Sequence, residues 1–336
     1  MQFAGCHILS IHQFERADVE RIFSVADRME PYARRRRVTK VLDGAILGSM
    51  FFEPSTRTRV RFGSAFNLLG GEVRETTGFE QSAIAKGESL YDTARVLSGY
   101  SDVIVMRHPA NRSVAEFAAA SRVPVLNGGD GSNEHPSQAL LDLYTIRSEL
   151  AGRGRGLEGL RIAMVGDLRY GRTVHSLCRL LCLYPGLQVV LVSPGELRMP
   201  ESIVGELRAA GHQVMESDVL EESIARVDIV YSTRIQEERF SSQAEADVYR
   251  GRFRLNQSVY TRHCEPNTVI MHPLPRDSRE TARAQARSLG LRRRSSPRGS
   301  IGQGAAWLDL PCWNRERGST WRHAARNRRS DGQTER

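Results

Sequence analysis

Lysine is nearly missing from this chain. Only Lys40 and Lys86 occur, and arginine carries every other fixed side-chain positive charge. Such usage points to a GC-rich coding sequence. Long apolar runs are missing as well. None approaches the ~20 residues that cross a bilayer. Met1 to Ser10 holds no basic region followed by a long apolar one, so neither a membrane span nor a signal peptide is expected. The five cysteines, Cys6, Cys178, Cys182, Cys264 and Cys312, form no CxxC pair, which argues against a zinc ribbon or a dithiol redox centre. Cys178 and Cys182 share a helix face and read as core thiols, suited to a reducing cytoplasm. No repeat at solenoid spacing appears.

What is present is an ordinary globular composition with unevenly placed charge. Hydrophobic residues make up 40% of the 336, and the length allows two domains. The net charge of +9 belongs to one end. Residues 281–336 hold 13 of the 48 basic residues, against Asp309, Glu316, Asp331 and Glu335, so residues 1–280 carry 35 charges of each sign. A body with no net charge gives no electrostatic reason to expect nucleic acid as its partner.

An apolar run, Ala45 to Phe52, reads as a buried strand. Pro54 follows, then Ser55, Thr56 and Thr58, then Val60, Phe62, Ala65, Phe66 and Leu69 at helical spacing. The local order is strand, Pro-bounded turn, helix. Ser55 can cap that helix, whose first free N–H groups then point beyond the strand end. With Arg57 and Arg59 beside them, they offer an anion site. A capped helix with solvated arginines is the alternative.

The alternation continues along the chain. Residues 7–40 read as an extended start and a helix, with Arg34 to Arg37 as its solvated end. Further strands are expected from Glu72, at 103–106, 123–126, 162–165, 189–192, 228–231 and 269–272. Further helices are expected at 90–97, 139–150, 173–183 and 200–210. Residues 76–91 and Asn127 to Gly131 read as loops. Two successive β/α patterns imply an α/β fold of two doubly wound parallel-sheet domains, with the active site in the cleft between them. The expected bounds are 1–140 and 141–280, joined by the helix at 139–150. Arg107 ends one strand, so it is placed like Ser55 to Thr58. The loop Gly166 to Thr173 lacks GxGxxG, so no dinucleotide site is expected there.

The segment Phe51-Phe52-Glu53-Pro54-Ser55-Thr56-Arg57-Thr58-Arg59 is similar to the carbamoyl-phosphate loop of the carbamoyltransferases. Later segments extend the resemblance: Ser82-x-x-x-Lys86-Gly87-Glu88, His135-Pro136-Ser137-Gln138, Arg172 in its loop, Thr233-Arg234-Ile235-Gln236, and His272-Pro273-Leu274-Pro275. Over residues 7–280 the chain resembles the catalytic chains of the aspartate carbamoyltransferases. The ornithine enzymes carry cysteine where Pro273 stands, so Pro273 favours aspartate.

The resemblance implies transfer of a carbamoyl group from carbamoyl phosphate to the amine of L-aspartate, in pyrimidine biosynthesis. The amine attacks the carbonyl carbon directly, with no cofactor, no metal and no nucleophilic side chain. Carbamoyl phosphate would be held by Ser55, Thr56, Arg57, Thr58, Ser82, Lys86, Arg107, His135 and Gln138, and by the backbone of Leu274 and Pro275. Charge-assisted bonds of this kind contribute ~1.5–3 kcal/mol each. Thr58, Arg107 and His135 would face the oxygen that gains charge, with Arg57 in the catalytic set. Aspartate would meet Lys86, Arg172, Thr173, Arg234, Gln236 and Leu274; two arginines can each pair with one of its carboxylates. In the family the Ser82–Lys86 loop enters a neighbour's site, which implies a homotrimer.

After Glu280 the resemblance stops. The family continues to a long apolar helix that packs back on the first domain. Here Thr281 to Arg336 holds 13 arginines, Trp307, Trp313 and Trp321, and no sustained apolar period, so disorder is expected. One reading is a shifted reading frame, which the arginine-rich, lysine-free composition favours. The other is a nucleic-acid-binding tail, with arginine for phosphates and tryptophan for stacking. A catalytically impaired or purely structural subunit is the functional alternative to an active enzyme.

Overall fold

The computed structural model describes residues 1–76, 87–234, 253 and 255–274. Two all-parallel sheets organise them. The first has strand order β2-β1-β3-β4, from β1 (Ile46–Phe51), β2 (Glu72–Thr76), β3 (Val103–His108) and β4 (Val125–Asp130). The second has order β7-β6-β5-β8-β9, from β5 (Arg161–Val165), β6 (Gln188–Val192), β7 (Gln213–Ser217), β8 (Ile229–Ser232) and β9 (Val269–Met271).

The central strands are apolar on both faces because helices cover both. On one face of the first sheet Leu47, Phe51 and Val105 pack against Phe62 and Phe66 of α2 (Thr56–Leu68). On the other, Met50, Ile104 and Met106 meet Ala94 of α3 (Leu90–Leu97) and Val114 and Phe117 of α4 (Ser113–Ala120). Neither α4 nor β7 was expected from the sequence. Asn127 to Asp130 was expected as loop but completes β4, with a register shift against β3 between Met106 and His108. The Asn127 side chain sustains this irregular strand by accepting from the Gly129 N–H at 2.7 Å.

The second sheet is covered on one face by α6 (Arg172–Leu181) and α7 (Glu201–Ala209), with Leu177, Val204 and Leu207 fully buried. The same cluster includes Leu143, Ile146 and Leu150 of α5 (Pro136–Ala151), and Val19 and Phe23 of α1 (Arg16–Ala33). The first helix of the chain therefore shares a core with the second sheet. Opposite them, Leu220 of α8 (Leu220–Ser223) and Ile224 cover Ala163, Val165 and Val230, with Val259 of α9 (Gln257–His263) packed nearby. No described helix is long and apolar enough to cross a membrane. All strands in each sheet are parallel, so their carboxyl ends share one edge, and the expected site residues among those described lie at or beyond it.

Candidate functional site

At the end of β1 the chain turns through Glu53, Pro54 and Ser55 into α2. Ser55 occupies the N-cap position with φ −156° and ψ 86°, yet its side chain makes no capping hydrogen bond. The expected Ser55 cap is therefore not formed. Thr56 and Arg57 are exposed in the first turn, whereas Thr58 is buried.

Pairing of β1 with β3 sets Phe51 opposite Arg107, and the Phe52 N–H donates to the Arg107 carbonyl at 2.9 Å. This register puts Glu53 beside the Arg107 side chain. Arg107 Nη2 lies 2.6 Å from Glu53 Oε1, and Arg172 Nη2 lies 3.3 Å from the same oxygen. Arg172 also donates to the Gly131 carbonyl. One carboxylate of the first sheet thus joins an arginine of each sheet. Burial first, then the Arg172 charge, lowers the Arg107 guanidinium to about 10; Glu53 opposes that shift and Arg57 adds to it.

Gly129 lies where these groups converge. Its φ is +114°, and a Cβ there would stand 3.2 Å from His135 Cδ2, 3.3 Å from Arg107 Nη1 and 3.4 Å from Arg172 Cζ. Only glycine combines that backbone with so close an approach. Thr58 borders the group, since a Cβ on Gly128 would lie 3.6 Å from its methyl.

His135 sits at the N-cap of α5 without using its side chain as a cap. Its N–H donates to Ser176 Oγ of α6 at 3.2 Å, and its Nδ1 lies 3.3 Å from Ser137 Oγ. Burial, followed by the charges of Arg172, Arg107 and Arg61, holds the imidazole well below its ordinary pKa. His135 is a neutral ring among guanidiniums, able to donate a hydrogen bond without carrying a charge.

One turn into α5, Gln138 is buried. Its Oε1 accepts from Arg61 Nη1 at 2.9 Å, and its Nε2 donates to Asp142 Oδ1 at 2.9 Å. Tyr231 of β8 donates to Asp142 Oδ2 at 2.6 Å. Burial raises the Asp142 carboxyl to about 7 against the lowering effect of those bonds. The Thr173 side chain is a further hydrogen-bonding neighbour of the Tyr231 phenol.

The remaining residues arrive from the carboxyl edge of the second sheet. Arg172 and Thr173 open α6. Arg234 follows Thr233, whose N–H donates to the Val165 carbonyl at 2.8 Å. Gly166, at φ +117°, lets that segment pass, because a Cβ there would meet the Thr233 carbonyl at 2.5 Å. Leu274 follows β9 at φ 61°, a left-handed backbone that costs a non-glycine residue about 1–2 kcal/mol. Its N–H donates to His272 Nδ1 at 2.9 Å. Such strain is often kept where backbone groups must face a ligand. Ser82, Lys86, Gln236, Pro275 and the segment 281–336 lie outside the described residues.

The structure therefore gathers Arg107, His135 and Arg172, with Thr58 at their border, and puts Gln138 in a network that reaches Thr173. It adds Glu53, Gly129, Asp142 and Tyr231, to which sequence reasoning gave no role. Glu53 stood inside the recognised motif; its acid among arginines was the available signal. Chemically, the site offers fixed positive charge and neutral donors for a small anion and a carboxylate.

Comparison with known proteins matches the geometry. Residues 6–148 match the family model "Aspartate/ornithine carbamoyltransferase, carbamoyl-P binding domain". Residues 158–287 match "Aspartate/ornithine carbamoyltransferase, Asp/Orn binding domain". The chain is 76% identical over 282 residues to the aspartate carbamoyltransferase catalytic subunit of Saccharophagus degradans, covering 84% of each chain. It is 51% identical over 282 residues to that of Dichelobacter nodosus, covering 84% of this chain and 81% of the relative. Among solved structures, the catalytic subunit of M. jannaschii aspartate transcarbamoylase superposes with a TM-score of 0.74 at 41% identity, over 84% of this chain and 92% of that one. The Trypanosoma cruzi aspartate transcarbamoylase in complex with carbamoyl aspartate and phosphate gives 0.72 at 38% identity, over 81% and 85%.

Proposed function

The chain belongs to the aspartate/ornithine carbamoyltransferase family, and from that membership we infer that it transfers the carbamoyl group of carbamoyl phosphate to L-aspartate. The neutral amine nitrogen bonds to the carbonyl carbon, the bond from that carbon to the phosphate oxygen breaks, and the amine proton passes to the departing phosphate. The products are N-carbamoyl-L-aspartate and phosphate, a step of pyrimidine biosynthesis.

One observation carries the reading: a single Glu53 oxygen lies within 2.6 Å of Arg107 and 3.3 Å of Arg172. Guanidiniums of the two sheets therefore approach closely enough to hold two small anions side by side. Ser55, Thr56, Arg57, Thr58, Arg107 and Gln138 take the carbamoyl phosphate, and the buried neutral His135 donates to its carbonyl. Arg172, Thr173 and Arg234 take the aspartate carboxylates, with Gln236, and the Leu274 and Pro275 backbone meets the amine and the carbamoyl group. Charge gained by the carbonyl oxygen in the tetrahedral intermediate is met by Thr58, Arg107 and His135, donors fixed before reaction.

The active form is a homotrimer in which Ser82 and Lys86 complete a neighbour's site. Supporting this, Val60, Tyr91, Val96 and Tyr100 leave apolar surface exposed on the first domain, and the relatives are named catalytic subunits. The reading also places the chain in the cytoplasm, where Cys6, Cys178, Cys182 and Cys264, free thiols in the structure, stay reduced.

Purified full-length chain incubated with carbamoyl phosphate and L-aspartate is expected to form carbamoyl aspartate and equimolar phosphate. L-ornithine is not expected to replace aspartate. Formation of citrulline instead, or no product, would refute this substrate assignment.

A further inference from the structure

We propose that Asp142 is a positioning residue that fixes the side-chain amide of Gln138, and that Tyr231 of the second domain anchors it. The proposal rests on the reading above, in which Gln138 meets carbamoyl phosphate.

An amide can present either its oxygen or its nitrogen to a given neighbour, and the two choices are chemically opposite. At Gln138 both ends are specified. Nε2 faces a carboxylate oxygen at 2.9 Å, and Oε1 faces a guanidinium nitrogen at 2.9 Å. Turning the amide over would set oxygen against carboxylate and NH₂ against guanidinium. Asp142 is 0% exposed, so water cannot repair the clash at the carboxylate, and an unpaired polar group is costly in so dry a place.

The carboxylate is itself held. Tyr231 donates to its second oxygen at 2.6 Å, and Tyr231 is fully buried on β8, just before Thr233 and Arg234. Asp142 thus receives one donor from the first turn of α5 and one from the strand that leads to Arg234. Arg61 lies one helical turn beyond Arg57 on α2. The orientation of one carbamoyl-phosphate group is consequently set by a contact to the aspartate-binding domain. With Nε2 committed to Asp142, Oε1 is the atom turned to Arg61 and the head of α2. Its second lone pair can accept from the carbamoyl NH₂.

Steady-state kinetics of full-length variants test this at pH 8, where the Asp142 carboxyl, raised to about 7 by burial, is mostly ionised and only accepts. Asp142→Leu keeps the branched outline, with larger tips, but removes the acceptor, freeing the amide. It is expected to raise KM for carbamoyl phosphate about tenfold, with a smaller change in kcat. Asp142→Asn keeps one oxygen for Gln138 and a polar group for Tyr231, so KM is expected to return to within about threefold of the parent. Should Asp142→Leu not fold, Tyr231→Phe removes the anchoring hydroxyl and is expected to raise the same KM about threefold in a protein that melts at a lower temperature but still cooperatively, because a buried carboxylate oxygen loses its donor. An unchanged KM in Asp142→Leu, equal losses in the Leu and Asn variants, or an unchanged KM in Tyr231→Phe overturns the proposal. Gln138→Leu separates the premises. If it leaves KM for carbamoyl phosphate unchanged in an active enzyme, the role of Gln138 falls and takes this proposal with it. An inactive parent chain refutes the functional reading and the proposal together.

Discussion

Arg172, at the head of α6, reaches across to Glu53 at the end of β1, with 3.3 Å from Nη2 to Oε1. The same carboxylate oxygen is held by Arg107 at 2.6 Å. Glu53 therefore spaces two guanidiniums that would otherwise repel. Glu53→Gln keeps the shape and removes the charge. It is expected to lower kcat/KM for aspartate about tenfold, or about 1.4 kcal/mol. Initial rates with aspartate varied at saturating carbamoyl phosphate check this; parent-like kinetics would mean the contact has no part in turnover.

His135 supplies a pH signature. Its folded pKa is depressed, so below the unfolded value of 6.5 the unfolded chain binds a proton that the folded chain does not. The stability it contributes is present above about pH 6.5 and is lost as pH falls below it. His175, also depressed by burial, acts in the same sense. Melting temperature is expected to fall from pH 7 to pH 5, and His135→Gln to flatten that slope. Loss of the His135 donor is also expected to lower kcat by about 10²–10³.

Asp142 gives a pH dependence of opposite sign. Burial raises its folded pKa to about 7 from 3.8. The folded state therefore holds the proton more tightly, and this contribution to stability declines as pH rises from about 4 to about 7. Asp142→Asn, which has no such proton, is expected to gain stability relative to the parent between pH 5 and pH 8. Denaturant midpoints at both pH values measure it; a constant difference between the two proteins would contradict the buried titration.

Much of this was legible beforehand. The helix at Leu90–Leu97 and the edges of β1, β5 and β6 follow from apolar runs between breakers. Those runs persist because both faces of each sheet are covered. The edge strand β7 was not legible: Gln213 and Glu216 interrupt it, and Met215 is exposed, so no apolar run marks it. Helix α4 is preceded at its N-cap by Arg112, a left-handed residue at φ 64°, and carries no usual capping residue there. Among site residues, motif similarity named those that would touch substrate. It gave no role to Glu53, Asp142 and Tyr231, because those roles depend on distant contacts: Glu53 with Arg172, 119 positions on, and Asp142 with Tyr231, 89 positions on.

Arg57 and Lys86 test whether neighbouring subunits share a site. Arg57 is exposed, so Arg57→Ala is expected to change stability by no more than about 0.5 kcal/mol and to abolish turnover. Lys86→Ala is expected to be similarly inactive. Mixing the two inactive proteins under conditions that exchange subunits is expected to restore part of the activity, since some sites then receive both native residues. No recovery, with exchange demonstrated, would contradict donation between neighbours.

The most direct measurement compares Arg107→Ala with Arg172→Ala for both substrates. If one cleft holds the phosphate by the first domain and the dicarboxylate by the second, Arg172→Ala raises KM for aspartate at least tenfold and leaves direct binding of carbamoyl phosphate near the parent value. Arg107→Ala weakens carbamoyl phosphate itself. Two variants that bind and turn over both substrates as the parent does would contradict the two-domain cleft.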